Sequence, residues 1–258
     1  MFEVLIYLFL FFNFIFMIAL IKKDFSVIDI AWGISFFLIF ITLYTAEYHI
    51  DSMRIKIIGF LVFIWAARLS GYIFYRSLKK GKEDYRYANW RKQWGAKANQ
   101  IAYVKVYMLQ MILSLCIASP LILIFKFDDN KPFGNVWDFL GLSLWGIGFL
   151  FEAIGDYQKN RFKSHKENKD KFCNVGVWKY SRHANYFGEA CLWWGVFLIS
   201  INIVPFYLAI WGPLLLNILL LKVSGVAMLE ESYEKRPGFK EYKQTTRRFI
   251  PWLPREFK

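Results

Sequence analysis

Cysteine is scarce and scattered. Cys116, Cys173 and Cys191 are the only three in 258 residues, and none sits in a CxxC or Cys/His ligand spacing. Neither a disulfide framework nor a metal site is expected from such a set. Acidic side chains are also few, 20 Asp and Glu against 33 Lys and Arg, which leaves a formal net charge of +13. No GxGxxG turn stands between a strand and a helix, so a Rossmann domain is excluded. The apolar segments lack the period-two alternation of barrel strands, which leaves helices. No internal repeat or linker is visible, and the chain reads as one domain over 1–258.

What is abundant is apolar and aromatic. The broad hydrophobic set makes up 57% of the chain and aromatics 21%, above the roughly 45–50% apolar content of soluble proteins. The excess is gathered into blocks such as FEVLIYLFLFFNFIFMIALI, which at ~1.5 Å per residue spans about 30 Å, one hydrocarbon core. Its charges, Lys22, Lys23 and Asp24, follow the apolar stretch without a small-residue cleavage pattern, so a retained first helix is expected instead of a signal peptide. Seven apolar segments run roughly 2–21, 26–45, 54–78, 103–126, 136–155, 186–204 and 205–227. A soluble globular enzyme, a disordered chain and a secreted disulfide module are excluded. The expected fold is all-α: a polytopic integral membrane protein with seven transmembrane helices, four in 1–135 and three in 136–258.

A charge of this size raises nucleic acid as a partner, but its placement points to topology. Lys22 and Lys23 lie between helices 1 and 2, and eight Lys/Arg fall in each of 79–105, 156–185 and 228–258. The opposite loops hold Arg54, Lys56, Lys126 and Lys131, and 202–205 holds none. Twenty-six against four places the basic loops in the cytoplasm, with the N-terminus outside and the C-terminus inside. No nucleic-acid partner is expected.

Two basic stretches carry more than topology requires. GKEDYRYANWRKQWG and GDYQKNRFKSHKENKDKFCNVGVWKYSRHANYFGE interleave cations with Tyr, Trp, Phe, Asn and Asp. A phosphate-bearing cofactor calls for cations together with amide and hydroxyl donors and aromatic faces. An interfacial belt of Trp and Tyr is the plainer explanation of the aromatics. Polar residues in helices add to the pattern. Asp29 sits in the second block, and Arg68 lies mid-helix with Tyr72 one turn on. Glu152 and Asp156, like Asn185 and Glu189, are four apart and share a helix face. Charges at membrane depth usually face a polar cavity and mark function; an internal ion pair, for instance Asp29 with Arg68, is the structural alternative. In YSRHANYFGEACLWWG, Arg182 and His183 precede Asn185, Tyr186 and Glu189 where a loop enters a helix, a place suited to an anionic ligand.

From about Trp137 to Pro254 the chain resembles the C-terminal domain of the steroid 5α-reductase family, in its bacterial membrane branch. The matching residues are the E-x-x-x-D pair Glu152/Asp156, the run GVWKYSRHANYFGE from Gly176 to Glu189, the following WWG, and YKQTTRRFIPWLP from Tyr242. The N-terminal half is similar through D-x-x-W-G at Asp29–Gly33, the pair Arg68/Tyr72, and DYRYANWRKQWG. The resemblance implies a seven-helix membrane enzyme that uses NADPH to reduce a carbon–carbon double bond conjugated to a carbonyl. It implies a dinucleotide enclosed by cytoplasmic loops and the ends of helices 5 and 6, with contacts at Arg68, Tyr72, Asp156, Asn185 and Glu189. Glu152, Arg161, Lys163, Trp178, Tyr180, Arg182, His183 and Tyr186 complete the implied cofactor set.

The chain departs from the steroid enzymes where those grip the substrate ketone. Trp65 stands three residues before Arg68, where they have Tyr, and helix 2 has no Gln-Glu pair. The expected substrate is a lipophilic enone, steroid or otherwise, entering from the bilayer. Tyr72 and a protonated Asp29 are then the candidate donors to its carbonyl oxygen, with Trp65 on the apolar wall. The alternative is a membrane S-adenosylmethionine-dependent methyltransferase of the isoprenylcysteine carboxyl type. Those enzymes are similar through an R-H-P-x-Y run, here RHANY, and a late glutamate pair, here Glu230/Glu231 ahead of Phe239 and Tyr242. A non-enzymatic lipid-binding membrane protein is a third reading.

Overall fold

The computed structural model describes residues 1–46, 52–128, 130–168, 171–234 and 236–254; of the basic residues counted above, Lys169, Lys235, Arg255 and Lys258 lie outside these. Among the described residues every regular element is helical. The helices are α1 Phe2–Lys22, α2 Val27–Ala46, α3 Met53–Lys80, α4 Tyr85–Ile117, α5 Ser119–Phe127, α6 Val136–Ser164, α7 Ala184–Ser200, α8 Phe206–Tyr233 and α9 Phe239–Thr245. Six of them, α1, α2, α3, α4, α6 and α8, are long and apolar enough to cross a membrane. The segment expected as a further span, 186–204, is α7, with 17 residues. The described residues fall into two compact units, Met1–Phe133 with Ile203–Ala209, and Gly134–Asn202 with Ile210–Lys258.

In the first unit, α1 packs on α2, α2 on α3, and the second half of α4 on both α1 and α2. Leu8, Phe12, Phe36, Ile39, Ile58, Trp65 and Tyr107 are fully buried there. Lys23 closes α1 in the left-handed conformation, φ 53°. The Asp24 carboxylate then accepts the Ser26 backbone N–H at 2.8 Å, the short turn that lets α2 start. In the first turn of α3, buried Arg54 donates to the carbonyls of Lys131 and Pro132, both at 3.2 Å.

The stretch 79–105, expected as a loop ahead of a helix over 103–126, is helical from Tyr85. Asp84 caps it by accepting the Arg86 N–H at 3.2 Å, and Tyr87, Ala98, Ala102 and Val106 form its buried stripe. This is helical spacing, masked in the sequence by charges on the outward face. α4 passes through a 3-10 turn at Gly95–Lys97 and a π stretch at Tyr103–Met108. It ends at Ala118 because Pro120 occupies the first turn of α5, having no N–H to continue the ladder.

The second unit is organised by α6 and α7. Asn135 caps α6, accepting the N–H groups of Trp137 (2.8 Å) and Asp138 (3.2 Å), while Asp138 reaches back to Asn135 N–H at 3.2 Å. This reciprocal cap satisfies orphan donors at the helix start. Asn202, just past the end of α7, donates to the same Asn135 Oδ1 at 2.7 Å. The two helices therefore run antiparallel, with Gly141 against Gly195 and Gly148 against Gly188.

Candidate functional site

α6 continues to Ser164 instead of ending near 155, so Glu152 and Asp156 lie inside a helix, and both are buried. Asn185, in the first turn of α7, donates Nδ2 to Asp156 Oδ1 at 3.1 Å. Gly155 faces the same residue: a Cβ there would stand in ordinary van der Waals contact with Asn185, 3.4 Å from its backbone nitrogen. One turn further in, Gly188 packs against Glu152, and half-buried Glu189 follows it. Four of the residues expected at a cofactor thus lie along one helix pair.

The loop joining α6 to α7 is held by the extension of α6. Trp178 donates its indole N–H to the Gly155 carbonyl at 2.8 Å, and Val177 N–H donates to Gln158 Oε1 at 2.9 Å. Trp178 packs with Cys173 and Ala184 against Phe151 and Phe162, and the Lys159 ammonium lies 4.5 Å from its ring centroid. At 2% exposure Trp178 is the core of this loop. Arg161 and Lys163 are exposed, and Lys163 braces the loop by donating to the Lys171 carbonyl at 2.7 Å. Exposed Tyr180 accepts the Trp252 N–H at its carbonyl, at 3.2 Å.

A second cluster centres on Glu230 of α8. Its Oε1 accepts Arg182 Nε at 2.9 Å and Nη2 at 2.8 Å, and His183 Nε2 lies 3.2 Å away. Arg248 Nε stands 3.2 Å from Oε2. Arg182 Nη1 donates to the carbonyls of Thr246 (2.5 Å) and Lys243 (3.2 Å), and Ser181 Oγ to that of Phe249 at 2.6 Å. The tail is thereby tied to the loop that starts α7. Burial pushes the Tyr242 phenol above its usual range, so it stays a donor, 2.8 Å from the Cys173 carbonyl. Beside this cluster a cleft of about 490 Å³ is lined by Arg182, Glu230, Glu231, Glu234, Lys243 and Arg248.

His183 precedes α7 with its ring parallel to Tyr186, centroids 5.9 Å apart. Burial holds it below the ordinary imidazole value of 6.5, with the Glu230 contact opposing that shift. Below 6.5 the unfolded chain takes up the proton first, so stability falls as pH drops from 6.5 through the lower folded value. Unfolding temperatures measured from about pH 7.5 down to 5.5 should decline, and His183→Gln should flatten that slope. Equal slopes in the two proteins would remove His183 from the acid response.

The remaining expected site residues belong to the first unit. Trp65 is buried edge-on to Phe36, centroids 5.4 Å apart, and the Arg76 guanidinium lies 5.8 Å from the Tyr72 ring. Arg68 lies in α3, one turn before Tyr72. Asp29 has two partners in this unit. Its carboxylate accepts Arg86 Nη2 at 2.6 Å and the Tyr87 hydroxyl at 2.5 Å. Both Asp29 oxygens are thus occupied as acceptors, one by a guanidinium and one by a phenol. Arg86, not Arg68, is the cation of this pair.

Residues 15–246 match the family described as "protein of unknown function (DUF1295)". The chain belongs to this family. Among curated proteins, the uncharacterized protein C594.04c of Schizosaccharomyces pombe is 28% identical over 258 residues, covering 90% of this chain and 74% of that protein. No solved structure matches. The stretch matched to DUF1295 takes in Asp29, the Asp156–Asn185 pair and the Arg182–Glu230 pair, and stops short of Arg248 and Trp252. The tie of Glu230 to Arg182 and His183 was open to sequence reading only as a shared motif, RHANY with a late glutamate pair. The contact itself joins residues 48 apart.

Proposed function

We propose that this DUF1295 protein is a membrane oxidoreductase that uses NADPH to reduce a carbon–carbon double bond conjugated to a carbonyl in a lipophilic substrate, as its resemblance to the steroid 5α-reductase family implies. The observation that carries this reading is the Asp156–Asn185 hydrogen bond beside buried Glu152. The donor set fits a dinucleotide. Carboxylates and the Asn185 carbonyl oxygen suit ribose hydroxyls and a carboxamide, while exposed Arg161 and Lys163 suit phosphates. Bound NADPH supplies the hydride. The chain's own part is to seat it and to place a donor at the carbonyl oxygen, worth about 3 kcal/mol per donor. The resemblance gives Tyr72 and Asp29 as candidates, and Tyr72 is preferred because both Asp29 oxygens already accept hydrogen bonds, from Arg86 and from the Tyr87 hydroxyl. The reading takes α7 as the seventh crossing, since about 17 residues is the lower limit for a span. It sets the N-terminus outside, the C-terminus and basic loops in the cytoplasm, and lets substrate enter from the bilayer.

A methyltransferase reading has one observation in its favour: the cleft at Glu230 faces carboxylates and cations toward the same space, as a zwitterionic amino-acid moiety requires. Titrating the purified protein with NADPH and with S-adenosylmethionine separates the two. We expect saturable NADPH binding, weakened about tenfold or more by Asp156→Ala and by Asn185→Ala, the lower range for a hydrogen bond to a charged group. Saturable binding of S-adenosylmethionine alone would replace the reductase with the methyltransferase.

A further inference from the structure

We propose that the face of α4 between Lys97 and Lys105 holds an anionic phospholipid, a binding site independent of the cofactor reading. Lys97, Gln100, Ile101, Val104 and Lys105 line a groove of about 340 Å³ on this face. Its floor is apolar and its two ends are cationic. Trp94, three residues before Lys97, stacks on Trp90 with centroids 5.8 Å apart, and Trp is enriched at headgroup depth. Further along the same helix, Leu109 and Ile112 are exposed. From Trp94 to Ile112 the surface therefore passes from aromatic, through Lys and Gln, to wholly aliphatic. A phospholipid has the same gradient from headgroup through phosphate to acyl chain.

Two features of the backbone make this a site and not a row of interfacial lysines. Lys97 and Lys105 are eight residues apart, about 12 Å of helix rise, too far for one phosphate if both side chains stood straight out. The common lean of helical side chains toward the N-terminus leaves that offset unchanged, and it is the long flexible stem of Lys105, able to snorkel to headgroup depth, that spans it. The π stretch Tyr103–Met108 widens the helix at that point, and Val104 stands 61% exposed. Single π turns often occur where helices bind something. The charge complementarity selects an anionic headgroup over a zwitterionic one.

The test is lipid retention. The full-length protein is placed in vesicles of equimolar phosphatidylglycerol and phosphatidylcholine, extracted in mild detergent, and weighed intact by native mass spectrometry. Wild type should retain phosphatidylglycerol several-fold over phosphatidylcholine. Lys97→Ala/Lys105→Ala should bring the two to parity, and Lys97→Arg/Lys105→Arg should restore the preference. Lys79→Ala/Lys80→Ala, which removes the same charge from α3, should leave it intact. If the alanine pair does not fold, Lys105→Gln is measured against the arginine pair. No preference in wild type, or equal loss in the Lys79/Lys80 variant, would overturn the site in favour of diffuse attraction. Each arm is read without NADPH, so the outcome does not depend on the reductase reading.

Discussion

Gly148→Ala should destabilise the second unit, whereas Gly146→Ala, on the same helix, should not. A Cβ at Gly148 would lie 2.5 Å from the Gly188 carbonyl oxygen and 2.8 Å from the Leu192 backbone nitrogen. At Gly146 nothing lies within 4 Å. Alanine gains up to ~1 kcal/mol over glycine in a helix interior, and at Gly146 that gain is unopposed. At Gly148 the obstructing atoms are backbone, which has no rotamer to swing away, so α6 and α7 must separate. Overpacking of this kind costs about 1–3 kcal/mol, and the separation is shared by Gly141 against Gly195, 2.6 Å, and Gly188 against Glu152, 2.6 Å. The net sign at Gly148 is therefore unfavourable. Gly148→Leu should prevent assembly of the unit. Thermal unfolding in detergent checks the pair of alanine variants, and shifts of the same sign at both positions would remove the glycine seam as the organiser. Because the seam also sets how closely Asn185 approaches Asp156, Gly148→Ala should, on the reductase proposal, weaken NADPH binding and Gly146→Ala should leave it unchanged.

How much of this was legible in the sequence depends on the range of the interaction. The long apolar helices were, because each announces itself by composition within some twenty residues. The glycines of α6 were visible at 141, 148 and 155, a seven-residue spacing, yet their meaning lies in a second helix, at Gly195, Gly188 and Asn185. The start of α4 was read as loop because its outward face is basic, although Tyr87, Ala98, Ala102 and Val106 keep helical spacing. Asp29 shows the same limit for charge. Arg68 was the nearest cation at membrane depth, but the carboxylate pairs with Arg86, 57 residues away. The fold places Asp29 beside the capped start of α4, where Asp84 also holds Arg86 at 3.0 Å. Asp156 and Asn185 were each picked out by a local four-residue spacing, and only the antiparallel pairing of their helices makes them neighbours.

Glu230→Ala should cost about 3–5 kcal/mol, the range for breaking a buried ion pair by removing one partner. The Arg182 side chain is 5% exposed and that of Glu230 10%, so the guanidinium would be left desolvated with only the Thr246 and Lys243 carbonyls. The cluster is asymmetric: one carboxylate meets Arg182, His183 and Arg248. Arg182→Ala should therefore be milder than Glu230→Ala, because Glu230 keeps two other partners. Arg248→Ala should cost under ~1 kcal/mol, as its side chain is 54% exposed and solvent screens the pair. Replacing both buried partners, Arg182→Met with Glu230→Leu, should recover most of the loss, since apolar residues of similar volume carry no desolvation penalty. The same cluster fixes the tail, which is joined to Ser181, Arg182 and Tyr180 through the backbone of Phe249, Arg247 and Trp252. In Glu230→Ala the stretch 239–254 should become the first site of limited proteolysis, ahead of any loss of helix content. If Glu230→Ala proves as mild as Arg248→Ala, or the double variant is no better than the single, the tail is held by its backbone bonds and aromatic packing alone.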